Sequence, residues 1–329
     1  MMDFLLQYFP EQAGVLSAEV DAIYIFMLAV SLFFTVLVVA LSIIFSIQYR
    51  KRSEKMPEAI HGNLILELTW TGIPLLLTLF MFAWGTSVYF KQVRIPDNAK
   101  EIFVVGKQWM WKIQHAEGPR EMNELHVPIN EPIKLTMTSE DVIHSFYIPA
   151  MRIKQDTVPG RYSFMWFQAT KPGKYHIFCA EYCGTQHSGM IGSLYAMEPA
   201  DYQKWLDERI KNPLAPVTNQ PAGLSSTESP VIQGEKLFTE LKCITCHSQT
   251  SGAMGPNLAG LFGRDVKLED GRTVPADETY LRHSIINPAD GIVQGYSALM
   301  PTYKGQVSED QLLSLVAYIK SLKGENSKS

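Results

Sequence analysis

Charged residues are scarce in this chain, and neither sign of charge dominates. Only 19% of its 329 residues are Asp, Glu, Lys or Arg, whereas soluble proteins average about 25%. The formal net charge is −4, so the basic excess of a nucleic-acid-binding protein is absent and no nucleic-acid partner is expected. The length suffices for about two or three domains.

Cysteine is rare as well, since the chain contains only four. They occur as two pairs, Cys179 with Cys183 and Cys243 with Cys246. Four cysteines can form two disulfides in an oxidising compartment, or they can hold metals, and composition alone does not separate these possibilities. The neighbours of each pair must therefore decide its chemistry.

Long apolar runs, in contrast, are present near the N-terminus. Residues 22–47 and residues 68–90 contain no charged residue. At about 1.5 Å per residue, a helix of either length can cross a hydrocarbon core of about 30 Å. Residues 1–90 are therefore predicted to form a two-helix transmembrane hairpin. Buried core helices would rarely run this long without a charge, and a cleaved signal peptide would need basic residues before the first run.

The short connector between the two runs carries a cluster of basic residues, Arg50, Lys51, Arg52 and Lys55. Positive residues in short loops stay on the cytoplasmic side. This predicts a multi-pass protein of a bacterial inner membrane with both termini on the outer, periplasmic side. Glu67 stands at the cytoplasmic start of the second run, where position alone favours a solvated surface carboxylate over a proton-handling group.

Residues 91–211 have a different texture, with short segments rich in β-branched and aromatic residues. Turns that contain proline and glycine, such as "VPGR" and "KPGK", separate these segments. The pattern predicts an antiparallel β-sandwich or barrel. A helical period begins only at Pro199.

One loop near the end of this region concentrates potential metal ligands. The run "CAEYCGTQHSGM" contains Cys179, Cys183, His187 and Met190, and His144 begins an earlier predicted strand that can meet this loop in a sandwich. A disulfide would leave the histidines and the methionine without a role, and a structural zinc would not need the methionine. Thiolate and thioether sulfurs favour copper, and two cysteines with two histidines allow two coppers bridged by both sulfurs.

This run, taken with the earlier histidine, resembles the dinuclear copper A motif of cytochrome c oxidase subunit II. That family has the same two-span anchor and a cupredoxin-like sandwich, and the resemblance covers residues 15–200. It implies that two cysteines bridge both coppers, that each copper takes one histidine, and that a weak methionine ligand and a backbone carbonyl bind one copper each. The bridging cysteines are Cys179 and Cys183, the histidines are His144 and His187, the methionine is Met190, and the carbonyl belongs to Glu181.

Three side chains match further positions of the same family. The Glu181 carboxylate resembles a ligand to a magnesium ion at the boundary with subunit I. Trp109 in "QWMW" resembles the tryptophan through which electrons enter above the copper, although an aromatic residue of a sandwich core fits the same pattern. Glu67, with Trp70 one helical turn later, resembles the glutamate at the mouth of a proton pathway, which reverses the preference drawn from position alone.

Residues 212–229 are rich in Pro, Ser, Thr and Asn and are predicted to form a flexible linker. Beyond it, "CITCH" places Cys243, Cys246 and His247 in the C-x-x-C-H pattern of covalent haem c attachment. A thioredoxin-like redox pair would need a βαβ context, and no such pattern surrounds these residues. Residues 230–329 are therefore predicted to form an all-α cytochrome c domain.

The haem needs a second axial ligand, and Met254 and Met300 compete for this role. Met254 follows the histidine too closely to reach the opposite haem face readily, which favours Met300. The order of C-x-x-C-H, "GPNL", Met-Pro and a final helix resembles that of class I cytochromes c. The final helix is predicted to begin with a Ser308–Gln311 capping box. The helix-crossing contact of these cytochromes is matched by Gly234 and Phe238 against Tyr318.

These features together predict the electron-transfer subunit II of a haem-copper cytochrome c oxidase. Electrons would pass from the fused haem c through the copper pair to haem in subunit I, which holds haem and CuB and reduces oxygen to water with proton pumping. Subunit III and an upstream donor, either cytochrome c or a cytochrome bc1-like or alternative quinol-oxidising complex, are the other expected partners. A copper-bearing nitric oxide reductase subunit and a membrane-held copper or haem carrier are the alternatives.

Overall fold

The computed structural model describes residues 9–51, 62–211, 228–247 and 253–323. The chain divides into two compact units, one of residues 14–94 and one of residues 95–329 together with the segment before Gly14. Arg52 and Lys55 of the basic connector lie outside the described residues, as do residues 212–227 of the predicted linker.

The first unit consists of two long helices, α1 (Ser17–Gln48) and α2 (Leu64–Val93). Both are long and apolar enough to cross a membrane. Both helices extend past the two apolar runs into polar residues at their ends. The Asn63 side chain caps α2 by accepting a hydrogen bond from the Leu66 N–H at 3.2 Å. Large apolar side chains such as Leu32 and Phe82 are exposed in this unit, a surface that suits lipid rather than water.

The second unit begins with a β-sandwich of two five-stranded sheets. Its strands are β1 (Lys100–Lys107), β2 (Met110–His115), β3 (Arg120–Met122), β4 (Glu124–Pro128), β5 (Ile133–Ser139), β6 (His144–Ile148), β7 (Ile153–Thr157), β8 (Ser163–Phe167), β9 (Gly173–Cys179) and β10 (Ile191–Met197). One sheet has the order β3-β2-β1-β5-β8 and the other β4-β10-β9-β6-β7. Alternating side chains from both sheets fill the core, among them the fully buried Trp111, Phe146 and Ile177.

The sandwich is mixed rather than antiparallel throughout. Strand β1 pairs in parallel with β5, and β4 pairs in parallel with β10. Parallel neighbouring strands require a crossover connection. Between β1 and β5, the chain crosses to the other sheet, forms β4 there and then returns. Helix α3 (Pro199–Lys211) follows the last strand.

The cytochrome region contains helices α4 (Pro230–Glu240), α5 (Glu278–Ile286) and α6 (Glu309–Ser321). The predicted Ser308–Gln311 capping box is present at the start of α6. The predicted helix crossing is also present, since a Cβ atom on Gly234 would lie 2.0 Å from the Ser314 carbonyl oxygen. A two-stranded ribbon, β11 (Asp265–Lys267) with β12 (Thr273–Pro275), is an addition that the sequence pattern had not indicated.

Candidate functional site

The predicted copper ligands converge at one end of the sandwich. The Cys179 Sγ lies 3.7 Å from the Cys183 Sγ, 3.9 Å from the His144 Nδ1 and 3.2 Å from the Glu181 backbone oxygen. The Cys183 Sγ lies 3.5 Å from the His187 Nδ1 and 3.8 Å from the sulfur of the last ligand in the motif, Met190. Strands β6 and β9 bring this about, because Phe146 of β6 pairs with Cys179.

The two cysteines of this site are not bridged by a disulfide in this structure. A bridge requires a sulfur–sulfur distance of about 2.0 Å, and the two Sγ atoms are 3.7 Å apart. The donor set comprises two thiols, one thioether, two imidazoles and one carbonyl, and it is rich in the soft sulfur that copper prefers. The residues present therefore fit a copper centre.

Burial and hydrogen bonding prepare one thiol for ionisation. Burial opposes the charged form of Cys179, but hydrogen bonds, the one from His144 first, lower the pKa of this thiol to about 6. Burial and the adjacent sulfur of Cys179 raise the pKa of Cys183. Because metals bind the thiolate rather than the thiol, the first cysteine is prepared for metal binding.

Two side chains that the sequence analysis did not single out hold this site in position. The Asp141 carboxylate accepts from the His144 Nε2 at 2.9 Å, which leaves the other ring nitrogen facing the sulfurs. The Gln108 side chain donates to the Cys183 carbonyl at 2.7 Å, and its backbone N–H donates to Asp141 at 2.8 Å. In the sequence, Asp141 could have been recognised as a carboxylate that lies three residues before a predicted ligand histidine.

The structure also places the other three predicted residues. The Trp109 indole packs against the sandwich core beside Gly184, where an added Cβ would lie 3.3 Å from the ring. The Glu181 side chain is exposed at the copper end of the sandwich, while its carbonyl faces Cys179. Glu67 belongs to the helical unit, in the exposed first turn of α2.

The second pair of cysteines lines a largely apolar cleft in the cytochrome region. A short helical turn over Cys243–Thr245 directs both thiols and His247 toward it. The His247 Nδ1 donates to the Pro256 carbonyl at 2.9 Å, so the Nε2 is the nitrogen left for a ligand. Gly255 permits this approach, because a Cβ there would lie 2.8 Å from the histidine ring.

Both candidate methionines border the cleft, but they differ in burial. Met254 is 53% exposed, whereas Met300 is partly buried and packs against the apolar core of the cytochrome region. Apolar side chains, including Leu281 and Ile319, form much of the remaining lining. The cleft thus offers two thiols, an oriented histidine and a partly buried thioether in apolar surroundings, and these groups fit a haem attached through both cysteines.

Comparisons with known protein families match three regions of the chain. The transmembrane domain of cytochrome c oxidase subunit II matches residues 4–85, its periplasmic domain matches residues 120–194, and cytochrome c matches residues 231–323. Cytochrome c oxidase subunit 2 of Alkalihalophilus pseudofirmus is 32% identical over 300 residues, which cover 88% of this chain and 83% of that protein. The Synechocystis counterpart is 29% identical over 246 residues, covering 60% and 74% of the two chains.

Among solved structures, the periplasmic domain of cytochrome oxidase subunit II from Bradyrhizobium japonicum is 30% identical, with a TM-score of 0.35. The matched region covers 36% of this chain and 98% of the Bradyrhizobium chain. The family implies copper in the sandwich and haem in the cytochrome domain. The chain therefore belongs to the cytochrome c oxidase subunit II family, as a membrane-held electron-transfer subunit of a haem-copper oxidase that carries its own C-terminal cytochrome c domain.

Proposed function

We propose that the sulfur-rich end of the sandwich holds a dinuclear copper A centre. Two thiolates, two imidazoles, a thioether and a backbone carbonyl would hold the two metals. The residues, in that order, are Cys179 and Cys183, His144 and His187, and Met190 and Glu181. The observation that carries this proposal is the convergence of all six donors from residues 144–190, with adjacent donor atoms between 3.2 and 3.9 Å apart.

The site is arranged so that its ligands move little. His144, Cys183 and Met190 are buried, and Asp141 fixes the ring of the histidine through its outer nitrogen. A copper pair supplies the capacity to accept and release one electron at a time. A rigid, largely dry ligand set keeps the structural change per electron small, which favours rapid transfer.

In the cytochrome domain, Cys243 and Cys246 would hold a covalent haem c through their sulfurs, and His247 and Met300 would bind its iron. The Pro256 carbonyl holds the histidine ring in one orientation, as hydrogen-bonded ligands of metals usually are. A methionine ligand raises the reduction potential relative to a second histidine. The domain spans residues 230–329 and follows the linker of residues 212–229.

The remaining assignments concern electrons, protons and partners. Trp109, within the copper domain of residues 91–211, is the point where electrons from haem c enter the copper site. The Glu181 carboxylate binds magnesium at the boundary with subunit I, and Glu67 stands at the mouth of a proton pathway. Residues 1–90 anchor the chain with both termini outside. Subunit I, with haem and CuB, and subunit III complete the oxidase, and the donor is cytochrome c, a cytochrome bc1-like complex or an alternative quinol-oxidising complex.

Substitution of each cysteine pair tests the two cofactor sites separately. Cys179→Ser or Cys183→Ser should abolish the mixed-valence copper signal in electron paramagnetic resonance and leave the haem c absorbance intact. Cys243→Ser is the matched control, because it should weaken covalent haem attachment and leave the copper signal unchanged. Persistence of the copper signal in Cys179→Ser would refute the site, as would zinc at its thiolates in elemental analysis.

A further inference from the structure

Strand β1 is buried on both of its faces. In a sandwich of two sheets, each strand is expected to bury one face against the other sheet and to expose the opposite face. Ile102 and Val104 point into the sandwich core. Phe103 and Val105 point the other way and are also buried, at 6% and 2% exposure. A strand covered on one side only should alternate apolar with polar residues, so a second layer must cover the outer face of β1.

The cytochrome domain supplies that second layer. Phe103, Val105 and Tyr162 of the sandwich share one apolar cluster with Leu313 of α6. The guanidinium of Arg282, on α5, lies over the Tyr162 ring at 5.5 Å from its centroid. Aromatic and arginine side chains in dry surroundings are the usual anchors of specific interfaces.

Four charged side chains close the rim of this contact in an alternating ring. Glu101 and Lys134 come from the sandwich, and Glu278 and Lys320 come from the cytochrome domain. Lys320 contacts both carboxylates, at 2.9 Å to Glu101 and 2.8 Å to Glu278. Lys134 does the same, at 3.0 and 2.8 Å respectively. All four are at most 21% exposed, so solvent and salt screen them less than ordinary surface pairs.

A further ion pair fixes the domain near the copper end of the sandwich. Lys112 contacts Asp310, in the first turn of α6, at 3.3 Å, and it also pairs with Glu140. Glu140 immediately precedes Asp141, the residue that orients the copper ligand His144. The cytochrome domain is thus attached beside the segment that positions a copper ligand.

This contact does not use the mouth of the haem cleft. On α6, Leu313 faces the sandwich and Leu315 lines the cleft, and residues two apart on a helix lie on opposite faces. Side chains at the cleft, such as Met254 and Leu299, remain 53% and 65% exposed with the sandwich in place. Docking and access to the cleft are therefore compatible.

We propose that the cytochrome domain is docked on the outer face of β1 through this interface, rather than moving freely on its linker. The charged ring and the arginine–tyrosine contact select one orientation, and the apolar cluster supplies the stability. The cleft mouth then stays open to an external electron-donating protein while the domain remains attached beside the copper site. A tether alone would predict none of these contacts.

A specific protease site inserted between residues 212 and 227 tests docking in the purified oxidase complex. Cleavage, verified on a denaturing gel, removes the local concentration, in the millimolar range, that a short tether provides. The haem-bearing fragment should nevertheless co-elute with the complex in size exclusion at low salt. Elution of the wild-type fragment on its own would overturn the proposal.

Charge reversal tests whether the charged ring retains the cleaved fragment on the sandwich. Lys320→Glu should weaken retention of the cleaved fragment at least ~10-fold, because it leaves two buried carboxylates beside a third. Lys320→Glu combined with Glu101→Lys returns the ring to zero net charge and restores an opposite-charge contact between positions 101 and 320, so it should recover part of the lost retention. Lys204→Glu makes the same charge change at a side chain that is 77% exposed on α3, and it should have no effect. Haem absorbance confirms that each variant folds, and equal retention in all four proteins would refute this interface.

Discussion

At the scale of single residues, the burial of two methionines leads to opposite expectations for the haem. Met300 is partly buried at the cleft, whereas Met254 is more than half exposed. Met300→Ala should lower the reduction potential of haem c and change its visible spectrum, because a methionine ligand raises the potential. Met254→Ala, the control, should leave both unchanged. Redox titration of the two variants distinguishes the ligands, and the reverse pattern would exchange their roles.

The position of Trp109 permits a second test at the same scale. Its indole covers Gly184, next to Cys183 of the proposed copper site, and its ring N–H is buried without a hydrogen-bond partner among the described residues. Trp109→Ala should slow reduction of the copper site in stopped-flow experiments without loss of copper. Trp109→Phe keeps an aromatic ring and should have a smaller effect. Loss of the copper signal in either variant would show that the tryptophan is a core residue only.

Residue spacing was sufficient to predict that the sulfur and imidazole donors converge, because four of them occupy one short loop. The fifth side chain, His144, could be included because strands of a sandwich converge at its ends. The supporting residues Asp141 and Gln108 could not be predicted in the same way. A carboxylate or an amide near a ligand is common on any surface, and only the folded loop shows that each donates or accepts at the site.

At the scale of helices, the crossing of α4 and α6 depends on one missing side chain. A Cβ atom on Gly234 would lie 2.0 Å from the Ser314 carbonyl oxygen and 2.6 Å from the Tyr318 Cβ. Alanine normally stabilises a helix relative to glycine by about 1 kcal/mol. Here Gly234→Ala should instead destabilise the domain by about 1–3 kcal/mol or more, because the two helices must separate.

Chemical denaturation followed by haem absorbance measures this change, and Gly291→Ala is the matched control. A Cβ on Gly291 would meet only Leu268, at 3.8 Å, so its effect should stay within about 0.5 kcal/mol. Equal stability of the two alanine variants would show that the crossing tolerates a methyl group.

The strands show where prediction from sequence stopped. Short β-branched segments indicated a sandwich correctly, but sheet order and the parallel pairs depend on contacts between distant segments. The run "IFVV" in β1 lacks alternation, which is the signature of a strand covered on both faces. The sequence alone could not say what covers it, because the partner residues lie more than a hundred positions further along the chain.

At the scale of the whole molecule, the charged ring predicts how docking depends on pH. Burial alone would raise the pKa of Glu278, but Lys320 and Lys134 lower it to about 2. The same two lysines lower the pKa of Glu101 against the effect of burial. Only the effect of the lysine across the interface, Lys134 on Glu278 and Lys320 on Glu101, depends on docking. That part favours the docked state above the ordinary carboxyl pKa of about 4.5 and is lost as the pH falls toward 2.

The cleaved oxidase should therefore retain its haem fragment at pH 7 and pH 5 and release it progressively between pH 4.5 and pH 2. Glu278→Gln removes the principal titrating group, so its retention should be weaker at neutral pH and should vary less across this interval. Size exclusion at each pH measures the retained haem, and absorbance of the fragment reports whether the domain is still folded. Release already near pH 6, or an unchanged profile in Glu278→Gln, would show that this ring of charges does not control docking.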